Sequence, residues 1–107
     1  MTPALQFAAL GDDTRRALVD LLRDGPRPVH ELAAHFAVSR PAVSRHLRLL
    51  KEAGLVVEHK RARENLYSLN RPKLKALSAW LELYWGSAVE QLRADEPQRK
   101  SQLELDL

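Results

Sequence analysis

No cysteine occurs among the 107 residues. Disulfides, thiol redox sensing and thiolate metal sites are therefore excluded. Long apolar runs are missing too, and none approaches the roughly 20 residues that a membrane span requires. The amino-terminal segment lacks a basic stretch followed by an apolar core, so it does not read as a secretory signal. Also absent are a Gly-rich phosphate loop, paired carboxylates in an apolar setting and a nucleophile with a recognisable elbow. Ser44 next to His46 is not a dyad, because residues two apart on a helix point in different directions. A chain of this length holds one modest core and leaves little room for an enzyme of ordinary size. The expectation is a cytoplasmic, non-catalytic protein that needs no cofactor and no membrane.

What the chain does have is unevenly placed charge. The formal net charge is only +3. From Ser39 to Arg63, however, seven Arg or Lys stand against two acids, and from Asp95 to Leu107 four acids stand against two bases. A basic centre in a nearly neutral chain marks an anion-binding surface.

Periodicity and punctuation give the order of elements. Thr2 or Pro3 to Leu10 reads as a short helix ended by Gly11. Asp12 caps a second helix, Asp13 to Arg23, whose apolar positions recur at three and four. "DGPRP" is a break. A third short helix runs from Val29 to Phe36, and "AVS" turns the chain into a fourth. After Gly54 the period changes: "LVVEHK" and "NLYSLN" flank the polar "RARE" and read as a two-stranded hairpin, a wing. A long last helix spans about Pro72 to Ala94, with Asn70 as its cap. The segment 95–107 reads as a flexible tail outside the domain 1–94. The fold class is mainly α, a winged helix-turn-helix of about five helices and a hairpin wing.

The fourth helix, within "SRPAVSRHLRLLKEAGLV", has two opposed faces. On a wheel of about 100° per residue, Val43, Leu47, Leu50 and Gly54 fall on one line, widened by Ala42, Leu49 and Ala53. Arg40, Ser44, Arg45, Arg48 and Lys51 fill the opposite arc. Ser39 is the N-cap, Pro41 fits the first turn and Gly54 is the stop. Solvated faces usually mix signs, whereas this one is cationic, with a short Ser between two Arg. That combination suits phosphates and base edges.

"ALGDDTRRALVDLL" followed by "VHELAAHFAVSRPAVSRHLRLLKEAGLV" resembles the ArsR/SmtB family of bacterial transcriptional repressors. The matching features are "DDTR" at the start of the second helix, "SRHL" (Ser44 to Leu47) in the recognition helix and "AGLV" (Ala53 to Val56) at the exit into the wing. Asp13 stands where the family usually has Pro. The resemblance spans about Leu5 to Leu92 and implies a homodimer on a palindromic operator in double-stranded DNA, released by an inducer. Many members sense metals through cysteines beside the recognition helix or through His, Asp and Glu on the last helix. This chain has no cysteine, and its four histidines, His30, His35, His46 and His59, all precede that helix. The metal-sensing part of the resemblance does not carry over, which leaves a small molecule, a partner protein or simply protein abundance as the switch.

The DNA-binding set is Ser39, Arg40, Ser44, Arg45, His46, Arg48, Arg61 and Arg63. The first turns of a recognition helix reach base edges, so Ser39, Arg40, Ser44 and Arg45 are the base readers. Arg48 and Lys51 are placed on phosphate or solvent. His46 falls in the apolar arc and reads as a packing histidine bonded to backbone or phosphate. Arg61 and Arg63 at the wing tip either follow a neighbouring minor groove or backbone or belong to a solvated loop. The dimer seam is Leu74, Leu77, Leu81, Tyr84, Trp85, Ala88 and Leu92 on the last helix, with Leu5 of the first. Ala76, Trp80 and Leu83 form a second apolar side. Two other functions fit the same elements: a protein-interaction module, and a winged helix that organises DNA without an operator sequence.

Overall fold

Capping chemistry sets where each helix begins and ends. The computed structural model describes the backbone of residues 3–94 and the side chains of residues 3–84. The expected tail lies outside the described residues, as do the side chains of Trp85, Ala88 and Leu92. Helix α1 is Ala4–Ala9. Helix α2, Asp13–Leu21, starts where the Asp12 carboxylate accepts the Arg15 N–H at 3.0 Å. It runs on as a tighter turn, Leu22–Asp24. Helix α3 is Val29–Ala33, shorter than expected. Helix α4 is Arg40–Glu52, with the Ser39 hydroxyl accepting the Ala42 N–H at 3.3 Å and Pro41 in the first turn.

The end of α4 satisfies the Leu50 and Lys51 carbonyls through a crossed pair. The Gly54 N–H donates to the Lys51 carbonyl at 2.9 Å and the Leu55 N–H to the Leu50 carbonyl at 3.0 Å. This crossed pair requires a left-handed residue, and Gly54 has φ +78°. The chain then enters strand β2, Val56–Arg61, and returns through strand β3, Glu64–Leu69. Their antiparallel register runs from Val56 opposite Leu69 to Arg61 opposite Glu64. Helix α5, Arg71–Ala94, opens where Asn70 Oδ1 accepts the Lys73 N–H.

One strand was not legible in the sequence. Arg27–Pro28 forms a short strand, here β1, paired antiparallel with β3, so the sheet order is β1-β3-β2 rather than a bare hairpin. The pairs are Arg27 with Tyr67 and Pro28 with Leu66. Two residues show no alternation, and a proline fits such a strand only at a sheet edge, which is where it stands.

The chain divides into two compact units after Leu77. In the first, Leu18, Leu22, Leu32, Val43, Leu47, Leu50, Leu55 and Val56 are almost wholly buried. Each such side chain contributes roughly 1.5–3 kcal/mol by leaving water. Leu49, expected in the apolar arc of α4, is exposed. Side-chain bonds lock α1 onto this core: Gln6 Nε2 donates to the Ala53 carbonyl at 2.8 Å, and Arg15 Nε to the Ala9 carbonyl at 2.6 Å. In the second unit, the Trp80 and Tyr84 rings lie 4.8 Å apart at 54°, and Leu83 and Tyr84 are exposed.

Candidate nucleic-acid interface

The cationic face of α4 looks onto the wing across two adjoining hollows. The larger, about 490 Å³, is lined by Pro41, Ser44, Arg45, Arg48 and Lys51 of α4 and by Glu58 and Tyr67 of the sheet. The smaller, about 280 Å³, is lined by Arg40 and Ser44 of α4, by Arg63, Glu64, Asn65 and Tyr67 of the wing, and by Pro28, Val29 and His30. Ser44 and Tyr67 belong to both hollows, so together they form one continuous groove. Four of the expected DNA contacts on α4, Arg40, Ser44, Arg45 and Arg48, line it. Ser39 is exposed as the N-cap of α4 and lines neither hollow. Arg63 reaches the groove from the wing turn, while Arg61 is exposed and lines neither hollow.

Among the described residues, Arg40, Arg45, Arg48 and Arg63 have no carboxylate partner. Lys51 does. Its Nζ donates to Glu58 Oε1 at 3.0 Å, while Glu58 Oε2 accepts from the Tyr67 hydroxyl at 2.7 Å and Asn65 Nδ2 at 3.1 Å. The Tyr67 bond, followed by the Lys51 bond, holds the Glu58 carboxyl below the usual carboxylate range. Burial, followed by the bond to Glu58, pushes the Tyr67 phenol up to about 12. Lys51 was expected on phosphate or solvent, but it ties the end of the recognition helix to the wing. Tyr67 was not singled out in the sequence, because a strand tyrosine reads first as packing.

His46 is three-quarters buried on the other side of α4. Its Nδ1 lies 3.3 Å from Arg15 Nη1 and 3.8 Å from Asp12 Oδ2. Arg15 in turn holds the end of α1. The histidine is a packing residue at the junction of α1, α2 and α4, and its partners are side chains rather than backbone. The Arg15 amide and then the charge of His46 hold the Asp12 carboxyl below its ordinary range. His30 Nδ1 lies 3.8 Å from Glu64 Oε1, and His35 Nδ1 lies 2.9 Å from the Glu31 carbonyl oxygen. No group of three or more His, Asp or Glu converges among the described residues.

The expected dimer residues divide. Leu74 packs against the core and Leu77 is buried. Leu81 is half-buried, whereas Leu5 and Tyr84 are exposed at 61% and 68%. Leu5 and Leu49 face a shallow hollow of about 160 Å³, lined also by Ala8, Ala9, Arg15, Glu52 and Ala53.

A helix-turn-helix whose second helix turns a cationic face to a β-wing is the structure of a winged-helix DNA-binding regulator. Residues 12–57 match the family model for bacterial regulatory proteins of the arsR family. The chain is 43% identical over 88 residues to the HTH-type transcriptional regulator Rv2034 of Mycobacterium tuberculosis, covering 82% of each. It is 37% identical over 75 residues to the transcriptional repressor SdpR of Bacillus subtilis, covering 70% of this chain and 83% of the relative. Among solved structures, a possible transcriptional regulator for arsenical resistance superposes with a TM-score of 0.69 at 43% identity, covering 84% of this chain and 94% of its own. The homodimeric winged helix-turn-helix DNA-binding domain Mb0332 of Mycobacterium bovis superposes with a TM-score of 0.64 at 26% identity, covering 75% and 74%. The chain belongs to the arsR family of bacterial transcriptional regulators.

Proposed function

We propose that this regulator is a homodimeric repressor that binds a palindromic operator. Its inducer is a small molecule or a protein rather than a divalent metal. Ser39, Arg40, Ser44 and Arg45 read base edges, and Arg48, Arg61 and Arg63 hold phosphates. His46 acts through the placement of α4. Leu5 and α5, through Leu81, Tyr84, Trp85, Ala88 and Leu92 above the buried Leu74 and Leu77, form the dimer. The observation that carries this reading is the continuous groove between α4 and the wing, whose four arginines lack acidic partners among the described residues. Guanidinium forks left unpaired beside a helix N-terminus suit guanine edges and phosphate oxygens. The homodimeric Mb0332 neighbour and the repressor SdpR support the assembly and the sign of regulation.

The test is binding to duplexes selected by the protein from a randomised pool. Affinity should fall steeply with salt, each neutralised phosphate contributing about −0.9 to the log–log slope. Arg40→Ala and Arg45→Ala should each cost about 1–3 kcal/mol, more on the selected duplex than on random DNA. A flat salt response, or no binding at low salt, overturns DNA binding. Equal losses on both duplexes move the two arginines to phosphate. Zinc added to the complex should release nothing, because borderline metals need convergent His, Cys or carboxylate ligands. Specific release by low-micromolar zinc overturns the non-metal signal.

A further inference from the structure

Resting on that DNA reading, we propose that Arg15, His46 and Asp12 form a proton-operated latch behind the recognition helix. It holds α4 in its DNA-reading position while His46 is neutral and releases it when the ring takes up a proton. His46 stands two residues past Ser44, about 200° around the helix, and so points away from the groove. Its Nδ1 lies 3.3 Å from Arg15 Nη1. A guanidinium has donors only, so this bond needs a lone pair on Nδ1. The arrangement therefore belongs to the neutral ring with its proton on Nε2. A second proton would have to settle on Nδ1. The bond from Arg15 would then be lost, and two like charges would face each other across 3.3 Å.

Asp12 Oδ2 stands 3.8 Å from the same nitrogen and is the acceptor for the new N–H. The two groups must close by about 1 Å to make a charge-assisted bond. The Arg15 amide and then the charge of His46 hold the Asp12 carboxyl below its ordinary range. Asp12 is therefore ionised wherever an imidazole ordinarily titrates, about pH 5 to 8. Nδ1 thus serves one partner at a time: Arg15 when bare, Asp12 when protonated. Both partners are fixed to the body of the domain. Arg15 Nε donates to the Ala9 carbonyl at the end of α1 at 2.6 Å, and the Asp12 carboxylate caps α2 through the Arg15 N–H. A change of partner therefore shifts α4 against α1 and α2, and the base-reading Arg45 adjoins His46 on that helix. Nothing else nearby competes for the proton. Helix α1 carries no titratable side chain. The positions three and four away on α4, Ala42, Val43, Leu49 and Leu50, are uncharged. On α2, Asp13 and Arg16 are paired with each other. Among the described residues, Asp12 is the only carboxylate within ion-pair reach of the ring.

The experiment measures binding of the full chain to a duplex selected from a randomised pool, between about pH 8 and pH 5. His46→Asn keeps an acceptor for Arg15 near the Nδ1 position but takes up no proton. The wild-type affinity divided by that of His46→Asn should fall on acidification. The fall should reach up to about tenfold per pH unit for each bound chain, because each must give up one proton to bind. Protonation of His30, His35 and His59 is common to both proteins and cancels in the ratio. In the DNA-free protein the titration of the His46 ring is followed by NMR. Asp12→Asn, which keeps a good cap, should move that titration and the loss of affinity to lower pH. Arg15→Gln, which removes the opposing cation, should move both to higher pH. A purely structural role moves neither. A ratio independent of pH overturns the latch, as does a ring titration that neither substitution displaces. A ratio that rises on acidification puts the charged ring on phosphate and overturns it too. If His46→Asn does not fold, the opposite displacements in Asp12→Asn and Arg15→Gln still decide. Wild type that binds no duplex at low salt near neutrality fails the DNA reading itself. Failure of the latch alone leaves that binding intact.

Discussion

Glu58 is an acid at the edge of a groove built for anions, and three donors hold it in place. With its carboxyl held below the ordinary range by Tyr67 and Lys51, its contribution to stability is present above about pH 4.5, its unperturbed value. That contribution is lost as pH falls through the lower, folded value. Glu58→Gln lacks it, so urea unfolding of the two proteins should differ most near neutrality and converge as the solution is acidified. A difference that stays constant through the acid range counts against the network. At the other end the sign reverses. The phenol is raised from 10.0 to about 12, so the folded state holds the Tyr67 proton more tightly, and stability falls as pH rises between those values. Tyr67→Phe should remove that alkaline component. None of this was legible in the sequence. Lys51 and Glu58 stand on different elements, and only the turn at Gly54 folds β2 back beside α4. A lysine on a cationic arc carries no mark of the acid that will claim it. Arg40, Ser44, Arg45 and Arg48 were legible because helical periodicity alone puts them on one face.

Elements with strong local signals read correctly, and those made by tertiary pairing did not. Asp12, Ser39 and Asn70 each cap the helix they were expected to cap, because a short polar side chain competes well for the first free amides. Removing the Ser39 hydroxyl with Ser39→Ala should cost about 1 kcal/mol in chemical denaturation. Gly54→Ala should cost more, about 1–3 kcal/mol, since alanine must then hold φ +78°. The new Cβ meets Lys73 Cε at 3.3 Å, the flexible part of a side chain that can move away, so the cost lies in the backbone. The same substitution should weaken DNA binding, because the wing leaves α4 through this residue. Full stability in Gly54→Ala contradicts the assignment of Gly54 as the obligatory left-handed stop. Strand β1 and the shortened α3 escaped the sequence for one reason. Their ends are fixed by pairing to β3 and by packing, and neither two strand residues nor five helical ones establish a period.

For the whole molecule the open question is what covers α5. At 24 residues it is about 36 Å long, more than a core of this size needs. Its first turns are claimed by the chain's own interior through Leu74 and Leu77. Farther along, Leu83 and Tyr84 stand at 79% and 68% exposure, and Leu5 of α1 at 61%. Exposed large apolar side chains gathered on one helix mark an interaction surface more often than an ordinary solvated face. A two-fold copy of the chain is the partner that also serves the DNA reading. It presents two recognition helices about 34 Å apart to successive major grooves, which one chain cannot do. Sedimentation at low micromolar concentration should therefore report a dimer. Leu5→Glu and Tyr84→Glu should each dissociate it while the circular dichroism of the chain is kept, because exposed positions tolerate charge. The dissociated variants should still bind half-sites but lose the added affinity of the paired site. A wild-type monomer that binds a palindrome with full affinity refutes the dimer. A dimer that survives both substitutions instead moves the interface elsewhere.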